Sequence, residues 1–196
     1  SPSVDLFFGV PDLLLAWYLT GERRFRDTAL EGLEAMLSLS QFSDFTDPLP
    51  QRERANLIFA YIEGYRATGD SRWLDALRAV VGATADLSNK GWLTDPAAFG
   101  ASHPGAYLST FMCAQVLWTM GRYLDLCAEY GWTDDLGTAA ALAAYAGFLV
   151  DHAMTEYRPG RAAVTHDIFF DGSDPSYLDV NNWALTVADA LTCAAR

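Results

Sequence analysis

The densest run of chemically capable side chains lies near the end of the chain, from His166 to Asp179. It contains His166, Asp167, Asp171, Asp174, Tyr177 and Asp179. Carboxyl groups held at a fixed separation can divide into a protonated acid and an ionised partner. A histidine or tyrosine can instead take a proton from carbon. The same run carries Asp171-Gly172 and Asp174-Pro175, so the competing reading is a polar surface loop punctuated by turns. Its aspartates do not follow the spacing of an EF-hand calcium loop.

A second group occupies the middle of the chain. Trp92 and Tyr107 offer ring faces, and Asp95 and His103 offer an acid or a base. His103-Pro104-Gly105 also reads as a helix start with proline in the first turn. Further upstream, Asp44 and Asp47 precede Arg52 and Arg54. Either guanidinium can grip a carboxylate in a two-pronged contact, or simply join a surface ion pair. Near the C-terminus, Asn182 and Trp183 suit the first turn of a helix, where they would line a cavity mouth or serve as cap and core.

Other site types are excluded by residue type and spacing. Three His and three dispersed Cys provide no zinc pattern. There is no phosphate-cradling glycine loop and no nucleophile elbow. Cys113 and Cys127, if on one helix, stand roughly 21 Å apart at about 1.5 Å per residue, too far for a disulfide. The net charge of −12 disfavours nucleic acid and anionic membrane as partners. The apolar stretch from Ala106 to Ala128 is broken by Arg122 and Asp125, which argues against a membrane span.

The elements that must position these residues are helical. Apolar residues recur at helical spacing over about 8–20, 22–39, 51–68, 71–87, 104–130, 134–155 and 178–195, giving about seven helices in one all-α domain covering 1–196. No strand ladder is expected beyond a short ribbon around Ala163-Val164 and Phe169-Phe170. A turn repeats: Thr20-Gly21-Glu22-Arg23-Arg24-Phe25 returns as Thr68-Gly69-Asp70-Ser71-Arg72-Trp73, 48 residues later. A weaker copy stands at Tyr130-Gly131-Trp132-Thr133-Asp134. Glycine suits the left-handed position after a helix, and Asp70 suits a cap. The intervening segments, about 40–50, 88–103 and 156–177, are long. In an up-down chain of helices, alternate connections emerge at the same end. The long segments are therefore expected on one rim, before the third, fifth and seventh helices, and that rim is where function would concentrate.

Leu14-Leu15-Ala16-Trp17-Tyr18-Leu19-Thr20-Gly21-Glu22 and Glu63-Gly64-Tyr65-Arg66-Ala67-Thr68-Gly69-Asp70 resemble the hairpin turns of the (α/α) toroid carbohydrate-active enzymes. Asn181-Asn182-Trp183-Ala184-Leu185 resembles the start of an inner helix in such proteins, and the toroid domain of exo-rhamnogalacturonan-lyase-like proteins is a nearer comparison within the group. The resemblance is architectural and carries no catalytic signature. It implies a glycoside hydrolase or polysaccharide lyase domain, without a cofactor or metal, that binds an oligo- or polysaccharide at the long-segment rim. Asp167, Asp171, His103, Asp95 and His166 are then the catalytic candidates. Trp92, Tyr107, Arg52, Tyr177, Asn182 and Trp183 are the substrate-binding candidates. The alternative is a non-catalytic helical-repeat scaffold that binds a glycan or a protein. A full toroid needs roughly six hairpins, so the chain reads as part of a ring, and an open ring would favour self-association.

Overall fold

The Thr-Gly-acid turns are built the same way twice. In the computed structural model, the Thr20 hydroxyl donates to the Ala16 carbonyl (2.7 Å) and accepts from the Glu22 N–H (3.2 Å). Thr68 does the same with Gly64 (2.7 Å) and Asp70 (3.1 Å). Gly21 and Gly69 take φ of 71° and 67°, and each donates its N–H to the carbonyl four residues back at 2.7 Å. A side chain with a Cβ is strained in that left-handed conformation, so glycine recurs there. Asp70 then caps the next helix by accepting from Arg72 N–H (3.0 Å). The third copy keeps the left-handed glycine, Gly131, but has Tyr130 where the others have threonine, and its loop runs on to Gly137.

The structure describes residues 9–37, 48, 51–159, 161–172, 178–179 and 182–195. Over these the protein is mostly helical, of the all-α class. The helices are α1 (Gly9–Thr20), α2 (Arg23–Leu37), α3 (Gln51–Thr68), α4 (Ser71–Ala85), α5 (Gly91–Thr94), α6 (Pro96–Ser102), α7 (Thr110–Tyr130), α8 (Thr138–Ala153) and α9 (Asn182–Ala194). Helix α7 packs between α3 and α9, and α1 packs on α3, which makes one row. Helices α4 and α8 pack on each other and against α3 and α7, which makes a second row behind it. One apolar cluster runs from Val10 of α1 to Ala190 of α9, with Leu14, Leu33, Ile58, Leu77, Leu117 and Leu149 fully buried.

The segments between repeats are more ordered than their sequence suggests. Strand β1 (Tyr107–Ser109) pairs antiparallel with β4 (Asp167–Phe169), and β3 (Arg161–Thr165) lies between β2 (Met154–Arg158) and β5 (Leu178–Asp179). This changes the expected helix starts at 104 and 178 and the expected end at 155; Leu178–Asp179 pair with β3, and α9 begins only at Asn182. The helix expected from 104 begins at Thr110, because Tyr107–Ser109 are drawn into pairing with β4. The helix expected to reach 155 stops at Ala153, where Met154 enters β2. His103-Pro104-Gly105 ends a helix rather than starting one: the His103 N–H bonds back to Phe99 (2.9 Å), closing α6. Helix α6 itself starts at Asp95-Pro96, with an aspartate cap and proline in the first turn.

The first hairpin departs from simple repetition. Leu33 of α2 lies against Gly64 of α3, where an added Cβ would come within 2.6 Å of its Cδ1. Glu34 pairs with Arg72 at 2.9 Å. The C-terminal end of α2 therefore meets the α3–α4 turn, at the far end from Gln51. The common rim is built by the segments before α7 and α9, joined through β1 and β4. Of the segment joining α2 to α3, only Pro48 is among the described residues, so Asp44 and Asp47 lie outside them.

Candidate functional site

The rim is knitted by backbone hydrogen bonds. Tyr107, Leu108 and Ser109 stand opposite Phe169, Ile168 and Asp167. The Thr110 N–H donates to the His166 carbonyl (2.9 Å), and the Phe170 N–H to the Ala106 carbonyl (3.2 Å). Leu108 and Ile168 point into the core, which anchors the ribbon. Tyr107 and Phe169 form an outward pair with ring centroids 5.6 Å apart.

At the end of that ribbon, His166 Nδ1 lies 3.1 Å from the Asp167 carboxylate, with the two side chains 35% and 27% exposed. A proton on Nδ1 donated to Asp167 leaves Nε2 as the basic nitrogen. The pair is thus a base with an orienting carboxylate, reachable by solvent.

The other expected site residues divide clearly. Trp92 is wholly buried, with its ring packed edge-on to Tyr145 and Phe148 at 5.5 and 5.7 Å and tilted against Phe170 at 6.2 Å. It is a core residue, and the expectation that it stacks on a sugar is corrected. Asp95 accepts the Ala98 N–H (3.1 Å) as the cap of α6. His103 lies parallel to Phe99 with ring centroids 4.2 Å apart, and its Nδ1 is 2.9 Å from Ser102 Oγ. Asp171 accepts the Gly105 N–H (3.2 Å), which ties the two segments together. Tyr107 is exposed, and the Arg52 guanidinium lies 5.6 Å from the Phe111 ring centre. Tyr177 lies outside the described residues, as do the side chains of Asn182 and Trp183 at the start of α9.

A second surface was not anticipated. Helices α3 and α7 run parallel, and residues 59 positions apart face each other along one side: Arg52 with Phe111, Phe59 with Trp118, Glu63 with Arg122. Phe59 and Trp118 meet edge to face, with centroids 5.0 Å apart. Arg122 lies 5.8 Å from the Trp118 ring centre and 3.8 Å from Glu63. Arg66 closes the far end, bonding Glu63 (3.0 Å) and Glu129 (2.7 Å). Asn56 and Gln115 occupy the intervening register position. Beside Trp118 opens a cavity of about 350 Å³, lined also by Gly121, Arg122, Asp125, Leu142 and Cys193. That falls within the usual size of small-molecule sites, about 300–1,000 Å³. The signal in the sequence was a stripe of polar and aromatic residues at three- and four-residue spacing through two otherwise apolar helices.

The strip adjoins the rim through the backbone at the start of α7. Phe111, at the rim end of the strip, follows Thr110, whose N–H holds the His166 carbonyl. Lys90 is buried, with Nζ donating to the carbonyls of Ala83 and Asp86 (2.7 Å each) and to Asn89 Oδ1 (3.0 Å). Burial first, and then the nearby Arg54 charge, push its ammonium down to about 8, with Asp86 acting in the opposite direction. Its three acceptors make it a clamp on the end of α4 rather than a base.

No helix among the described residues is long and apolar enough to cross a membrane, and no cluster of three or more His, Cys, Asp or Glu among them could hold a metal ion. No protein-family model, curated protein or solved structure matches the chain.

Proposed function

We propose that this is a carbohydrate-active domain of the (α/α) toroid kind, which lays a glycan along the α3–α7 strip with its reacting end at the β1–β4 rim. The observation that carries this reading is that the aromatic and polar strip adjoins the rim of the His166–Asp167 pair through the backbone at the start of α7. Aromatic rings flanked by amides and paired charges suit a sugar, which has apolar faces and a hydroxyl edge.

Between the two reaction classes, the pair favours a lyase over a hydrolase. Hydrolysis needs two carboxyl groups flanking the bond, about 5–9.5 Å apart. Here Asp171 is committed to the Gly105 N–H, and Asp167 is engaged by His166. In a lyase, His166 Nε2 would take the proton next to a uronate carboxylate. The electron pair left behind forms a carbon–carbon double bond, the glycosidic C–O bond breaks, and the leaving oxygen is protonated by water. On this reading Arg52, which lies against Phe111 at the rim end of the strip, would meet an acidic group on the sugar.

Incubation with a panel of uronic-acid polysaccharides, read by the ultraviolet absorbance of the unsaturated product, tests the reading. Turnover lost in His166→Ala supports it. Unaltered turnover in that variant, or no binding to any acidic or neutral glycan, contradicts it. The non-catalytic scaffold reading draws support from Asp95, His103 and Asp171, all engaged in caps and turns. Glycan binding without turnover would favour it.

A further inference from the structure

We infer that the adjoining N-termini of α3 and α7 form an internal site for a phosphate group. Three side chains there are buried and leave polar atoms without a hydrogen-bond partner: both amide atoms of Gln51 (0% exposed), Oγ of Ser109 (7%) and Oγ1 of Thr110 (1%). The register that sets Arg52 beside Phe111 sets Gln51 beside Thr110. Gln51 lies on the buried stripe with Ala55 and Ile58, and Thr110 on the buried stripe with Ala114 and Leu117. Both therefore face inward at the first turns of two parallel helices.

Ser109 occupies the N-cap position of α7, yet its hydroxyl does not cap. A cap serine ordinarily satisfies one of the first-turn N–H groups. The Thr110 N–H is taken by the His166 carbonyl, so an anion here would meet the side-chain hydroxyls and the Gln51 amide at the positive ends of two long helix dipoles. By that register the four unmet polar atoms sit at adjoining helix starts, and their desolvation cost is one that a shared ligand would remove. An oxyanion takes N–H and O–H donors, and a phosphate that keeps one proton also gives Gln51 Oε1 a donor. Buried Arg54, one turn along α3, adds positive charge nearby. The nearby acids do not oppose this directly. Glu53 is two residues from Gln51 and so lies across the helix, and the Asp167 carboxylate is held by His166.

The test is thermal denaturation of the whole protein in sodium phosphate and in sodium chloride at matched ionic strength, with Thr110→Val alongside. The wild type should melt several degrees higher in phosphate. Thr110→Val should melt at or above the wild type in chloride, because it removes an unmet hydroxyl, and should lose the phosphate shift. If that variant does not fold, Ser109→Ala carries the same expectation. Phenyl phosphate separates the sources: an equal shift assigns the site to the tip of a phosphate ester, and no shift to the free ion. Equal melting of the wild type in phosphate and chloride, the outcome for ordered water alone, overturns the inference. So does a phosphate shift that both variants retain. Neither result bears on glycan binding at the strip.

Discussion

Phe59 and Trp118 meet edge to face across the α3–α7 seam, with ring centroids 5.0 Å apart and planes at 76°. Such a pair contributes about 0.5–1.5 kcal/mol beyond its burial. Both rings remain partly accessible and are continued on either side by charged and amide residues rather than by core. The strip packs α3 on α7 and, on the proposed reading, would also present the glycan-binding face.

Trp92 illustrates the opposite case. Its ring is packed among Tyr145, Phe148 and Phe170, so Trp92→Ala should destabilise the fold by about 3–5 kcal/mol through loss of contacts and the cavity left behind. Chemical denaturation would show this. Any effect on glycan affinity should vanish once only folded protein is counted.

Gly100 of α6 sits against the backbone of Phe170, and a Cβ there would overlap the Phe170 carbonyl. Backbone cannot yield as a side-chain tip can. Gly100→Ala should therefore cost about 1–3 kcal/mol or more. Because Phe170 is bonded to Ala106 beside β1, the variant should also loosen the rim, seen as faster amide exchange at Thr110 and Phe170.

Lys90 makes a pH prediction. Its ammonium is held near 8 in the fold, below the 10.5 of an unfolded lysine. Between those values the unfolded state binds more protons, so this residue makes stability rise with pH from about 8 upward. Burial pushes the Cys113 thiol up to about 12 and acts in the opposite sense, so the comparison must be between proteins. The stability difference between the wild type and Lys90→Met should widen from pH 7.5 to 9.5. A constant difference would mean that the ammonium titrates normally. At any pH in this range Lys90→Met should be the weaker protein, since the carbonyls of Ala83 and Asp86 lose their donor at about 1–3 kcal/mol each.

What was legible in the sequence was local. The Thr-Gly-acid turns are closed by bonds within four residues, so their chemistry can be read in place. The helical rows follow from apolar spacing. The β1–β4 ribbon was not legible, because three residues show no periodicity and Leu108 meets its partner Ile168 only across sixty positions of chain. An aromatic in a long segment reads the same whether it faces solvent or the core, which is why the burial of Trp92 was not legible. The strip was hidden because Arg52, Asn56, Phe59 and Glu63 interrupt an apolar helix singly, and become a surface only beside their α7 counterparts. The first hairpin could not be placed from repetition alone, since the Leu33–Gly64 contact depends on a missing Cβ.

The central claim is that the α3–α7 strip holds a glycan, and the most direct measurement is tryptophan fluorescence during titration with uronic-acid oligosaccharides, comparing the wild type with Trp118→Ala and His166→Ala. Saturable quenching in the wild type and in His166→Ala, abolished in Trp118→Ala while that protein remains folded, is the predicted result. Undiminished quenching and affinity in folded Trp118→Ala would contradict it.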